Sequence, residues 1–453
     1  MTSKPKSSLA TFFLCVALLT KTIRSFGQED DAQYRKEFYR EDNHRMSVDT
    51  DTGYFDMGLG SHVRLQGQVV FDAISGATPT GAPPPAQWRY ADFNYFYNSA
   101  FNGLLLSPLY AYNTNNYILY QSGLFPSFQA YTNYIAQTYP QIGQQASNNA
   151  ASSYQSLTNA PNYRSSHVPL TTLTDHRRAF SLSLPVTFGI HTITPQFSMS
   201  QESDYHSLGI ALNYALALNQ KNTTLNAGIA HTPDRVRDDI EVWESKVSDD
   251  FIIGVTQLLS PKSYITLDFT YGIENGYLAD PYRSVMFLFP DPQTGSDPVL
   301  STEVRPRRRT KEIPYISYTQ FIDPLDGSLE LGYRYFHDSY EISAHTLEAT
   351  WHQKIGKHLV LSPGIRYYYQ NAAFFYNVIF QDFANAPQYY SSDYRLSNME
   401  TFTYTLNLDY RIAKHFAVDV GYQRYIMRGL DGITSQSAYP SANVYNVGGR
   451  ILF

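Results

Sequence analysis

"TFTYTLNLDYRI", residues 401–412, alternates without a break. Phe402, Tyr404, Leu406, Leu408, Tyr410 and Ile412 are apolar or aromatic, and Thr401, Thr403, Thr405, Asn407, Asp409 and Arg411 are polar. Strand side chains point to opposite faces with period two, so this segment is a strand with one greasy and one wet face. A half-buried strand of a soluble antiparallel sheet reads the same way. The fold turns on where the greasy face points, into a protein core or into lipid.

Working outward, the pattern recurs. "FSLSLPVTF" sets Phe180, Leu182, Leu184, Val186 and Phe188 against Ser181, Ser183 and Thr187. "LGIALNYALAL" sets Leu208, Ile210, Leu212 and Tyr214 against Gly209, Ala211, Asn213 and Ala215. Sixteen such segments are predicted, near 33–41, 44–57, 60–73, 177–189, 191–203, 205–219, 222–232, 248–259, 263–275, 310–322, 327–338, 341–354, 358–370, 399–412, 415–428 and 442–453. Their lengths match the roughly 9–11 residues of a membrane-crossing strand. Links after even-numbered segments are short, as in "NQKN", "IGKH" and "RIAKH". The long links, 74–176, 233–247, 276–309, 371–398 and 429–441, all follow odd-numbered segments. A soluble sandwich has no reason to keep its long loops at one end. An outer-membrane barrel does, with tight periplasmic turns and long external loops. Closure also removes edge strands, which lipid does not tolerate. The expected fold is therefore an all-β, antiparallel, up-and-down transmembrane barrel of about sixteen strands in a bacterial outer membrane.

Composition agrees. Of 453 residues, 16% are charged, well below soluble-domain usage of about 25%. The chain carries 39 Tyr and 27 Phe, and Tyr-rich ends such as "RYYYQ" read as interfacial girdles. A net charge of -6 gives nucleic acid nothing to bind. Residues 1–27 read as a signal peptide: Lys4 and Lys6, an apolar run from Leu9 to Leu19, then small residues before Gln28. The single Cys15 lies within it, so residues 28–453, read as the barrel, contain no thiol for a disulfide or thiolate metal site. The chain stops on Phe453, with Ile451, Val447 and Tyr445 on the same face; a terminal aromatic there reads as a signal to the outer-membrane assembly machinery.

The chain also resembles the domain-of-unknown-function family 3570 of bacterial envelopes. The residues that carry the resemblance include "VVFDAISGATPTG", "LNQKNTTLNAGIAHTPDRVRD", "DDFIIGVTQLLSPKSYITLDFTYGIENGYLADPYR", "WHQKIGKHLVLSPGIRYYYQ", "YYSSDYRLSNMETFTY" and "GLDGITSQSAYPSANV". The resemblance implies an envelope barrel with no catalytic residues to carry over. It also implies an envelope lipoprotein partner and a flavin-linked electron-transfer setting. The chain departs from the family in a long insert, 78–166, within the 74–176 link. The insert is rich in Tyr, Asn, Gln, Ser and Ala, with Arg89, Asp92 and Arg164 its only charges. "FQAYTNYIAQTY" and "ASNNAASSYQSL" are expected to be short helices. The whole link reads as an external loop or a plug, and part of 78–166 is expected to fold inward against the small residues of the early strands.

The wet face supplies the candidate site. Asp268, Glu330, Arg334, Glu348, His352, Arg366, Asp409, Arg411, Asp419 and Arg450 are expected to line the lumen, while the early strands offer it mainly Ser, Thr, Asn, Gly and Ala. "RPRRRTK" makes Arg305, Arg307, Arg308, Arg309 and Lys311 a basic rim cluster suited to acidic lipopolysaccharide groups. "HTPDRVRDD" (231–239) and "HDSYEISAH" (337–345) mix His, Asp and Ser, but nothing in their spacing sets a nucleophile beside a base. His176, His191 and His206 are scattered, and no metal motif and no cofactor is expected. The expected function is a passive channel for small polar solutes, not an enzyme, partnered by membrane lipid and lipopolysaccharide. The alternatives are a non-conducting envelope scaffold for a flavin-linked electron-transfer or assembly system and, third, an outer-membrane hydrolase.

Overall fold

The computed structural model describes residues 30–88, 93–105, 123–126, 130, 133–134, 137–159, 165–288, 299–381 and 386–453. The signal peptide and Cys15 lie outside them, as does half of "FQAYTNYIAQTY". The barrel strands are β1 (Asp31–Glu41), β2 (Met46–Gly58), β3 (Arg64–Pro79), β4 (Leu170–Ser183) with its continuation β5 (Val186–Phe188), β6 (His191–Gln201), β7 (Tyr205–Leu218), β8 (Thr223–Arg237), β9 (Trp243–Ser260) and β10 (Ser263–Gly276). They continue through β13 (Arg308–Ile322), β14 (Gly327–Asp338), β15 (Ser343–Ile355), β16 (Leu359–Gln370), β18 (Met399–Ala413), β19 (Phe416–Gly429) and β20 (Ser441–Leu452). Pro185 has no N–H to give the ladder, so it splits β4 from β5. Its carbonyl still accepts from the Arg64 N–H at 2.9 Å, and the pair runs as one strand.

Each strand pairs antiparallel with the next, and β1 pairs with β20 from Asp31↔Leu452 to Glu41↔Ala442. With β4 and β5 counted together, that closes sixteen strands into one ring. All the expected segments are strands. Several run further toward the long-loop end than the alternation suggested, β3 to Pro79 and β4 from Leu170. Up there both faces meet protein or polar surroundings, and the apolar–polar signal fades.

The greasy faces point outward. Leu406, Tyr404, Ile412, Ile229, Ile253, Leu347 and Val420 are all exposed on the barrel exterior. Large apolar side chains left this exposed all round a closed sheet need lipid as their solvent. The short turns sit at one end. Gly189 and Gly356 take positive φ (63° and 65°) there, which lets links of two and three residues reverse the chain.

At the other end, three short strands form a separate sheet: β11 (Ser284–Leu288) pairs antiparallel with β12 (Val299–Thr302) and parallel with β17 (Ile379–Gln381). Val285, Phe287 and Phe380 make its small core. Helices Phe93–Leu105 and Pro140–Asn159 belong to the insert and pack on each other through Phe101, Ile142 and Ala146. The second helix covers "ASNNAASSYQSL".

Candidate functional site

Inside the ring, charges on the later strands stand in cross-strand partnership. Glu348 and Arg366 face each other in register and pair at 2.9 Å. His352 Nε2 lies 3.6 Å from Glu330 Oε2. Toward the short-turn end, Arg35 reaches Asp419 at 3.1 Å and Arg450 reaches Asp31 at 3.7 Å, with Asp409 directly opposite Asp419. Arg411, next along β18, is exposed near the 414–415 turn. Asp268 and Arg334 sit two strands apart with Tyr315 in register between them, and the Arg334 guanidinium lies 5.6 Å from the centre of the Tyr315 ring. Among the described residues Arg334 has no carboxylate within ion-pair distance.

These groups border two adjoining cavities. One, of about 750 Å³, is lined by Asp268, Arg334 and Arg366 from the strands and by Arg305, Asp393 and Arg395 from the loops. The other, of about 820 Å³, is lined by Glu348, Arg366, Thr403, Asn407 and Gln423, again with Arg395. Arg366 and Arg395 border both. No described residue of 78–166 lines either cavity.

The loops that overhang the cavities are held by one buried carboxylate. Asp393 is fully enclosed and meets three guanidinium groups: Arg395 Nε at 2.9 Å, Arg305 Nη2 at 2.8 Å and Arg283 Nε at 3.5 Å. Burial alone would raise its pKa. The three cations more than offset that and hold its carboxyl far below the usual carboxylate range. Glu303, also buried, accepts from Arg305 at 2.8 Å and from the Ser391 hydroxyl; here burial outweighs Arg305 and pushes its pKa up. Arg395 also pairs with Asp280, and Arg309 donates to the buried Asp338 at 2.7 Å. Links 277–307 and 371–398 are thus tied to each other across the mouth, and Gln370 of the barrel wall donates to the Arg395 carbonyl at 2.9 Å. The stem of the insert joins them: Pro79 and Pro83 are fully buried, and Ala82 nearly so, beside Tyr376 and Ser392.

The structure disperses the basic run. Arg305 is in the buried network and Arg307 pairs with Glu244 at 2.9 Å. Arg309 and Lys311 turn inward to Asp338 and Glu274, while Arg308 is exposed at the rim. Arg305 and Arg307 precede β13, and on β13 alternation parts Arg308 from Arg309 and Lys311, because neighbours on a strand cannot share a face. It also splits the two mixed motifs. His231 points outward to Asp249 at 2.7 Å, whereas Asp234 is buried inside. His337 Nδ1 is 3.1 Å from Ser343 Oγ, and Asp338 lies on the opposite face with Arg309.

Two features escaped the sequence. The Asp393 network joins residues from two separate links, with no local spacing to betray it. Asp175 on β4 and Glu202 and Asp204 in the link between β6 and β7 bring carboxylate oxygens within 4.8 Å of one another. Ser203 donates to Asp175 through its hydroxyl at 2.9 Å, and the Tyr282 hydroxyl donates to Asp204. The opposing wall, β6–β9, is uncharged at mid-height, with Gly209, Ala211, Ala215, Asn226 and Gly228 inward. A Cβ on Gly228 would overlap Asn213 Oδ1.

Among solved structures, this chain is similar to the siderophore receptor PirA from Pseudomonas aeruginosa, at 9% identity and a TM-score of 0.39 over 94% of this chain and 62% of that one. It is similar to CdiB from Acinetobacter baumannii at 8% identity and a TM-score of 0.44, over 94% and 60% of the two chains. It is also similar to the outer membrane protein opdK from Pseudomonas aeruginosa, at 8% and 0.36, over 94% and 99%. The chain spans about three fifths of the first two structures it matches. No curated protein matches it. Residues 8–244 and 239–444 match the family described as Protein of unknown function (DUF3570), and the chain, a closed sixteen-strand barrel with an ion-paired lumen, belongs to that family.

Proposed function

We propose that this protein is an outer-membrane channel for the passive passage of small polar solutes. One observation carries the reading: two adjoining cavities, of about 750 and 820 Å³, lie inside a barrel with an apolar exterior, and both are bordered by charged and hydroxyl side chains. Water and polar solutes are stabilised beside such groups and excluded from the lipid face. The wall charges are mostly paired, so the field runs across the path between neighbours rather than favouring one sign along it. Arg334 is one of the wall charges without an ion-pair partner among the described residues, and it is placed to draw passing anions.

Purified, folded protein in planar bilayers tests this. Stable single-channel conductance, with Arg334→Glu shifting the reversal potential toward cations, is the expected result. A folded protein that never conducts would overturn it. The second reading is a non-conducting scaffold for a flavin-linked envelope system with a lipoprotein partner; the Asp393 network, which fixes loops across the mouth, favours it. Absence of conductance together with capture of an envelope lipoprotein would support that reading. Orientation follows from loop length: an epitope after Gly432 is expected to be labelled on intact cells, and one at 355–357 is not. In this orientation Phe453 sits at the periplasmic end for the assembly machinery to read.

A further inference from the structure

The outer face of β4 to β9 departs from its surroundings near the long-loop end. The ladder registers Arg178 with Gln201, Gln201 with His206, His206 with Arg235, and Arg235 with Ser245. The side chains of one such row share a face. That face is the exterior, since Met199, Leu208 and Ile229 lie on it, exposed, just below. Arg178, His206 and Arg235 each stand about a dozen residues from the short turn of their strand. At about 3.3 Å per residue and a tilt near 40°, that is roughly 30 Å above the turns, the upper margin of an apolar band about 25 Å tall.

Arg178 and Arg235 have no ion-pair partner among the described residues. One rung above, Arg237 lies 5.0 Å from the Trp243 ring, and His206 packs tilted against the same ring with centroids 4.6 Å apart. Immediately below the row is a groove of about 450 Å³, with Met199, Leu208, Pro233 and Val247 on its apolar side and His206 and Arg235 at its polar end. Pro233 makes the groove. It cannot donate to the ladder, and pairing of β7 with β8 is interrupted between Ser207↔Asp234 and Ile210↔His231. On the far side of the barrel the outward charges at similar distance from the turns are of mixed sign, Glu400 beside Arg428 in register.

An unpaired guanidinium at the edge of lipid needs an anion, and an apolar groove beneath it needs a chain. We infer that this face binds a phosphorylated glycolipid of the outer leaflet, a lipopolysaccharide whose headgroup phosphates meet Arg178 and Arg235 while an acyl chain lies in the groove over Pro233. Guanidinium groups suit phosphate because their planar fork donates two parallel hydrogen bonds. From Arg178 to Arg235 the row crosses four adjacent strands, about 14 Å at the usual interstrand spacing, wide enough for a headgroup with separated phosphates rather than a single phosphodiester. The inference rests on the outer-membrane orientation proposed above and is independent of conduction.

Native mass spectrometry of the purified full-length barrel in detergent, titrated with rough-type lipopolysaccharide or with phosphatidylglycerol, tests it. The parent is expected to retain lipopolysaccharide, and Arg178→Gln with Arg235→Gln to weaken retention at least tenfold. Arg428→Gln, an outward change on the far side, is expected to leave it within twofold. Heat-modifiable migration reports folding, and Arg178→Gln alone serves if the double variant does not fold. Equal retention by the folded variant, or phosphatidylglycerol bound as tightly as lipopolysaccharide, overturns the assignment. The epitope labelling described above reports separately on orientation.

Discussion

The two walls of the lumen are built from one continuous hydrogen-bonded sheet and differ almost entirely in side chains. From β13 round to β1 the inner face carries Arg334, Glu348, Arg366, Asp409, Asp419, Arg450 and Arg35, mostly within reach of an opposite charge. Across from them, β6 to β9 offer Gly209, Ala211, Ala215, Asn226 and Gly228 at mid-height. Over the mouth, the Asp393 network ties links 277–307 and 371–398 to each other, and Gln370, at the end of β16 on the charged wall, donates to the Arg395 carbonyl at 2.9 Å. The difference teaches that lumen charge here has two uses. It lines a wet path, and it supplies the fixed points from which the mouth is built.

That comparison can be broken most directly at Asp393. Asp393→Ala leaves Arg283, Arg305 and Arg395 in a buried site without their shared anion, and loss of one partner from such a group costs about 3–5 kcal/mol. The expected outcome is a folded barrel whose link 371–398 loses hydrogen-exchange protection and becomes protease-sensitive. If protection of 371–398 is unchanged, the network does not hold the mouth.

The next effect separates outside from inside. Leu406→Arg places a charge on the lipid face and is expected to destabilise by roughly 2–4 kcal/mol in lipid vesicles, with Asn407→Arg distinctly milder because it enters the wet lumen. A reversal of that order would reverse the faces.

Acidity sharpens the contrast within the mouth. Glu303 titrates above the usual glutamate value, because burial disfavours its charge. A raised carboxyl contributes stability that is complete below the unfolded pKa, about 4.3, and is lost as pH rises through the raised value. Protection of the 299–305 segment is therefore expected to fall as pH climbs from the unfolded glutamate value, about 4.3, through the raised one, and Glu303→Gln should flatten the profile. Asp393 has the opposite sign: its depressed pKa keeps its contribution through this whole window, to be lost only in stronger acid.

The smallest effect concerns the paired wall. Glu348→Gln unpairs Arg366, but both side chains are about two fifths exposed, so stability should change by less than about 1 kcal/mol. The readout is instead ion selectivity, which should move toward anions. No shift in selectivity would mean that the path avoids this wall.

How much of this could be read beforehand follows from the range of each signal. Strand alternation is local, and it located every barrel strand, including "TFTYTLNLDYRI", with its greasy side outward. Loop lengths are local too. Strand ends beyond Ala73 and before Arg177 were missed, because there neither face is lipid and period two weakens. The rim sheet was missed because β11, β12 and β17 are only 5, 4 and 3 residues long and β17 pairs with β11 across nearly a hundred residues of chain. The run "RPRRRTK" looked like one cluster because sequence counts charges without regard to face. On a strand its members part company, two going inward to carboxylates and one into a buried network.

The seam between β1 and β20 has a consequence for how the chain comes to be folded. Asp31 and Leu452 are register partners, yet they lie about 420 residues apart. Joining ends that distant costs on the order of 5 kcal/mol of loop entropy, only modestly more than a loop half as long. Time is a different matter. Every other barrel pairing joins neighbours in the chain and can form as a hairpin or across a single link, whereas the seam waits for the final strand. Contacts this remote slow folding, and until they form, β1 and β20 each present an open row of backbone donors and acceptors, a template for another chain. The last strand is therefore the one whose exposure has to be brief or chaperoned.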